Sequence, residues 1–128
     1  MDGIIGLTYN PNLQVADKIP FVSFDRYVSP NMPCVASDNF GGGHLAAKKL
    51  VEMGCERLLF LRIGSTVAGE SDKRRDGFES FCRGAGVEHD TLYLCDSDGY
   101  APFRAFLQAH IHQGRLDYDG IFCCTDAL

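Results

Sequence analysis

Residues 37–61 read Ser37-Asp-Asn-Phe-Gly-Gly-Gly-His-Leu-Ala-Ala-Lys-Lys-Leu-Val-Glu-Met-Gly-Cys-Glu-Arg-Leu-Leu-Phe-Leu61. The order is that of a strand end, a capped helix and a buried strand. Asp38 and Asn39 carry side-chain oxygens that can accept from the orphan N–H groups of a first helical turn. Gly41, Gly42 and Gly43 permit a close-packed helix start that side chains would obstruct. From His44 onward, Leu45, Ala46, Leu50, Val51 and Met53 recur at near-helical spacing, and Gly54 supplies the left-handed residue that ends many helices. Leu58-Leu-Phe-Leu61 is a short continuous apolar run, the pattern of a strand covered on both faces. A helix delivered into such a strand is half of a βαβ unit.

Upstream, Ile4-Ile-Gly-Leu7 reads as a short strand, 8–12 as a turn, and 13–18 as too short for a helix of its own. Ile19-Pro-Phe-Val-Ser-Phe24 is the next strand. Asp25 falls just past its carboxyl end, where open α/β sheets hold their ligands. A turn-rich loop with Pro30 and Pro33 leads to a brief strand at 34–37. Downstream, the buried strand runs to Ile63 and a loop follows from Gly64 to Gly69. A helix is predicted from about Ser71 to Arg83, with Phe78, Phe81 and Cys82 as its buried stripe and Gly84 and Gly86 closing it. A strand over 91–95 comes next, then a helix carrying Phe103, Phe106, Leu107 and Ile111 that Gly114 ends. Gly120-Ile-Phe-Cys-Cys124 is a last buried strand, with Thr125-Asp126 opening a further helix. The order β-α-β-α-β-α-β from Cys34, with short connections, predicts a parallel, doubly wound α/β sheet. A chain that opens on a strand and stops at a helix start reads as an excerpt of a larger α/β protein.

At 128 residues the chain suffices for one core and falls short of two full domains. Its 45% hydrophobic and 23% charged content is ordinary for a soluble globular protein. No apolar run approaches the roughly 20 residues of a membrane helix, and no secretory leader is visible in these residues; the cysteine usage leads to an expected cytoplasmic location. The net charge of −5 and the small clusters Lys48-Lys49 and Lys73-Arg74-Arg75 argue against direct nucleic-acid binding by this segment. The six cysteines form no CxxC pair and read as reduced, largely buried thiols. No metal or cofactor is expected. Gly41-Gly-Gly-His lacks the Lys-Ser/Thr of a P-loop, and His110 and His112 point in different directions on a helix. Cys123-Cys124 has no evident base partner for nucleophilic chemistry.

The ordered set of Ile19-Pro-Phe-Val-Ser-Phe-Asp-Arg-Tyr27, Val35-Ala-Ser-Asp-Asn39 with Gly42-Gly43, Met53-Gly-Cys-Glu-Arg-Leu58, Arg74-Arg-Asp-Gly-Phe78 and Gly120-Ile-Phe-Cys-Cys-Thr-Asp126 resembles the lactose-repressor (LacI) family of bacterial transcription regulators. The resemblance spans nearly the whole chain. It implies an effector-binding core with the periplasmic-binding-protein-like (type I) fold, here an incomplete two-lobe core. Residues 1–37 would belong to the N-terminal lobe and 38–128 to the C-terminal lobe. A small effector, a sugar or related metabolite, would close the interlobe cleft and bias a homodimer between two states. Operator DNA would be met only by a helix-turn-helix domain absent from these residues.

The resemblance also implies site residues. Asp25 matches the family's effector-contacting aspartate, and a carboxylate can accept from two neighbouring sugar hydroxyls; its competing role is to cap the loop beside Arg26. Arg74 matches an arginine pointing into the cleft, its fork of donors suited to hydroxyls, carboxylates or phosphates; the alternative is a solvated first-turn arginine. Thr125 stands where the family usually has asparagine, offering a hydroxyl for an amide, while Asp126 reads as a helix cap. Ser97 falls near a position that often stacks an aromatic on a sugar, with Tyr100 as a substitute, and Thr8 lies near a further polar contact. No catalytic step is expected. The rival readings are a solute (sugar)-binding protein of a transport system and a small flavodoxin-like enzyme. The first would carry a leader and lack a helix-turn-helix; the second would need a convergent catalytic set, and none is visible.

Overall fold

Asp38 opens the first helix as its position predicts, its Oδ1 accepting the Gly41 N–H at 2.8 Å. The computed structural model describes residues 2–7, 13–14, 16, 18–64, 69–95 and 99–125. In chain order its elements are β1 (Ile4–Gly6), β2 (Phe21–Phe24), β3 (Cys34–Val35), α1 (Asn39–Glu52), β4 (Arg57–Gly64), α2 (Asp72–Ala85), β5 (Glu88–Cys95), α3 (Ala101–Ala109), β6 (Ile111–His112), β7 (Arg115–Leu116) and β8 (Gly120–Cys123).

Helix α1 starts earlier than its apolar pattern suggests and takes the glycines into its first turns. Asn39 is not a cap: its amide donates to the Ser37 carbonyl, and its Oδ1 is taken by Arg74. The inward face is Asn39, Gly43 and Ala47, one residue per turn, whereas Leu45 and Met53 are 63% and 68% exposed. Backbone contact with α2 explains this choice of small residues. A Cβ on Gly43 would collide with the Arg74 carbonyl, and one on Gly77 with the Phe40 carbonyl. The two helices are therefore seated on each other at a pair of glycines. Gly54, at φ +91°, ends the helix as expected.

Strands β1-β2-β3 form one parallel sheet and β5-β4-β8 another, with β4 central. The sequence predicts β3 as the first strand of the doubly wound sheet; it pairs instead with β2, Phe24 beside Val35. The second sheet is doubly wound. Leu58 and Phe60 of β4 meet Ala47 of α1 and Phe78 and Cys82 of α2 on one face. Leu59 and Leu61 meet Phe103, Phe106 and Leu107 of α3 and Tyr118 on the other. This two-sided burial is what the apolar run at 58–61 encodes. The first sheet is barer: Ile5, Phe24 and Val35, which share a face by register, are 84%, 54% and 57% exposed.

The helix expected to reach Gly114 stops at Ala109. His110 Nδ1 lies 2.8 Å from the Phe106 carbonyl, and residues 111–116 turn back as the antiparallel ribbon β6-β7. Gln113 and Gly114 both have positive φ, the two-residue turn that suits a hairpin's twist, and it outweighs the helical spacing of Ile111. No helix among the described residues is long and apolar enough to cross a membrane.

Candidate functional site at the carboxyl ends of the strands

Parallel strands carry their ligand-facing residues at their carboxyl ends, and Asp25 follows β2 and Thr125 follows β8 there, each in its own sheet. Arg74, on the first turn of α2, is half-buried. Its Nε donates to Asn39 Oδ1 at 2.8 Å and its Nη1 to the Cys124 carbonyl at 2.7 Å. It is thus neither a solvated arginine nor wholly free for a ligand. The two bonds tie α1, α2 and the end of β8 together and leave other N–H groups of the fork unspent. Among the described residues no carboxylate neutralises its charge by an ion pair. Thr125, half-buried, follows Cys124 directly, so Arg74 and Thr125 are brought together.

Asp25 lies at the carboxyl end of β2 in the other sheet. Its N–H donates to the Val35 carbonyl at 2.8 Å, and its φ of +55° turns the chain sharply, a conformation aspartate tolerates better than most residues. Among the described residues its half-buried carboxylate has no hydrogen-bond or ion-pair partner, so it does not cap its loop, and no bond joins it to Arg74. Tyr100 stands at the start of α3, 60% exposed. Thr8, Ser97 and Asp126 lie outside the described residues.

Arg62 is a residue that the sequence reading passed over, hidden in an apolar run. It is only 4% exposed, yet sits on β4 on the same face as Leu58 and Phe60. Its Nη2 pairs with Asp72 Oδ1 at 2.8 Å, and its Cζ lies 4.4 Å from the centre of the Tyr93 ring. Asp72 also accepts the Gly69 N–H at 2.6 Å. An arginine set between Leu61 and Ile63, beyond a run of leucine and phenylalanine, is the signal that marks it.

Burial pushes the Cys124 thiol above its ordinary value, against the pull of the Arg74 and Arg62 guanidiniums; burial likewise raises Cys123. Both thiols therefore stay protonated near neutrality, which suits packing rather than nucleophilic attack. None of the six cysteines is in a disulfide, and no metal-holding cluster occurs among the described residues. A concavity of about 410 Å³ lies between the end of β3 and the start of α2, lined by Cys34, Asp38, Phe40, Glu70 and Lys73 among others. None of the expected site residues lines it. Two of its charged groups are spent on each other, Lys73 pairing with Glu70 at 2.7 Å, and Asp38 caps α1.

A parallel α/β sheet with polar side chains just past its strand ends is the arrangement in which open α/β folds hold their ligands. The chain belongs to the family described as periplasmic binding proteins and sugar binding domain of LacI family, whose family model matches residues 1–128. It is 35% identical over 128 residues to the sucrose operon repressor of Lactococcus lactis subsp. lactis, covering 98% of this chain and 40% of that protein. It is 35% identical over 91 residues to the sucrose operon repressor of Streptococcus mutans serotype c, covering 70% of this chain and 28% of the relative. The chain thus spans less than half the length of these curated relatives. Among solved structures it resembles a periplasmic binding protein/LacI transcriptional regulator from Alkaliphilus metalliredigens in complex with D-xylulofuranose. There the TM-score is 0.62 at 27% identity, over 82% of this chain and 38% of that one. The fold is accordingly the type I periplasmic-binding-protein-like fold, present in part.

Proposed function

We propose that these residues are the effector-sensing core of a LacI-type bacterial transcription regulator. A sugar or related metabolite binds between two lobes, residues 1–37 in the first and 38–128 in the second. Asp25 reaches it from one side and Arg74 and Thr125 from the other, with Thr8, Ser97 and Tyr100 as further contacts. The observation that carries the reading is Arg74 itself, anchored at two points, with no carboxylate pairing it among the described residues, and set beside Thr125 at the strand ends. The sugar-operon repressors that match the chain support the regulator over a transport protein of the same family.

Effector binding acts by closing the lobes, which favours one of two arrangements of a cytoplasmic homodimer and so alters how attached helix-turn-helix domains grip operator DNA. The test is calorimetry and operator-binding anisotropy on the full-length protein with sucrose, fructose and ribose, plain and phosphorylated. At least one should bind and change operator affinity. Arg74→Met should weaken that ligand by about tenfold or more, the scale of losing a charge-assisted contact. A full-length protein that binds no sugar of either kind, or that never binds DNA, overturns the reading.

A further inference from the structure

Position 62 continues the face of β4 that Leu58 and Phe60 bury, and an aliphatic side chain there would extend the core without any desolvation cost. Arg62 is there instead. Asp72 matches its charge and Tyr93 covers its plane, but Nη1 is buried and among the described residues has no hydrogen-bond partner. A buried donor left without a partner is costly, the more so when charged, so such groups call for one.

The guanidinium lies over Gly64, the last residue of β4. A Cβ there would stand 3.1 Å from Nη2 and 3.4 Å from Nη1, so the bare glycine leaves the space the fork occupies. The arginine therefore reaches along its strand to the carboxyl tip, the edge where Arg74 holds the Cys124 carbonyl. Arg74 is two residues from Asp72 on the same helical turn, and both guanidiniums act on the Cys124 thiol. Among the described residues, Asp72 is the one carboxylate that pairs with either of the two cations.

We propose that Arg62 and Arg74 together bind an oxyanion on the effector, the phosphate of a sugar phosphate or the carboxylate of a sugar acid. Nη1 of Arg62 is the donor reserved for it, and Arg62 sets the preference for an anionic over a neutral sugar. This rests on the effector-sensing reading above.

The test is calorimetry on the full-length protein with glucose, fructose and ribose, each against its phosphate ester, and with glucuronate. An ester or the acid should bind about tenfold or more tighter than its neutral parent. Arg62→Met should erase most of that preference, and Arg62→Lys should restore part of it. Because Arg62→Met strands Asp72, the double change Arg62→Met with Asp72→Asn is made beside it, and melting confirms that each variant folds. Preference for the ester alone identifies phosphate, and for glucuronate alone carboxylate; either supports the proposal. Neutral sugars binding as well as their anionic forms overturn the role of Arg62 and leave sugar sensing intact, as does a preference that survives in the double variant. No binding by any compound sinks both.

Discussion

Asp119 illustrates how a single side chain fixes strand ends in this chain. Its carboxylate accepts the N–H of Glu56 at 2.9 Å and of Arg57 at 2.9 Å, clamping the start of β4 beside the start of β8. Those N–H groups hold its carboxyl below the usual carboxylate value. A carboxyl depressed on folding contributes stability at pH values above its unfolded value, and that contribution fades as pH falls through the folded one. Asp119→Ala should therefore cost about 1 kcal/mol at neutral pH. The gap to the parent should close as pH drops below about 4 in paired denaturation curves. A gap constant from pH 7 to pH 2 would contradict it. At this scale the sequence was informative where a polar residue stands just past a strand, as Asp25 does. It was silent on Arg62, because a charge within an apolar run declares nothing about its partners, which come from Asp72 and Tyr93 far along the chain.

The helix pair α1–α2 makes a sharper prediction at the level of elements. Gly43 and Gly77 are filled by the opposing backbone, whereas Gly42 faces open space. Gly77→Ala should destabilise by about 1–3 kcal/mol, the range of overpacking. Gly42→Ala should be neutral or stabilise by up to about 1 kcal/mol through loss of unfolded-state freedom. Thermal melting of the two variants side by side decides it, and equal effects would refute the packing argument. Helix and strand order was legible, since apolar periods and terminal glycines are local signals. The buried face of α1 was not, because hydrophobicity points to Leu45 while the fold needs small residues where backbones touch. The hairpin at 111–116 was masked by Ile111 falling in helical register, and the positive φ of Gln113 carries no strong mark in composition.

For the molecule as a whole, alternation of helix and strand foretold a parallel α/β architecture, and the match to a single binding-domain family agrees with it. What local pattern could not show is that β3 joins the first sheet, since strand pairing is decided by distant partners. The bare face carrying Ile5, Phe24 and Val35 predicts that these 128 residues, prepared alone, associate. Sedimentation should show mass rising with concentration, and Phe24→Thr with Ile5→Thr should reduce it; a monodisperse parent would count against this. The seating of the Arg74 carbonyl on Gly43 also bears on attempts to breed biosensors from such a scaffold. The pivot of that arginine is set by main chain, so randomising α1 around 43 would yield misfolded clones rather than altered responses. Under the effector-site proposal, diversity is better spent at 62 and 125, whose side chains that reading sets against the ligand.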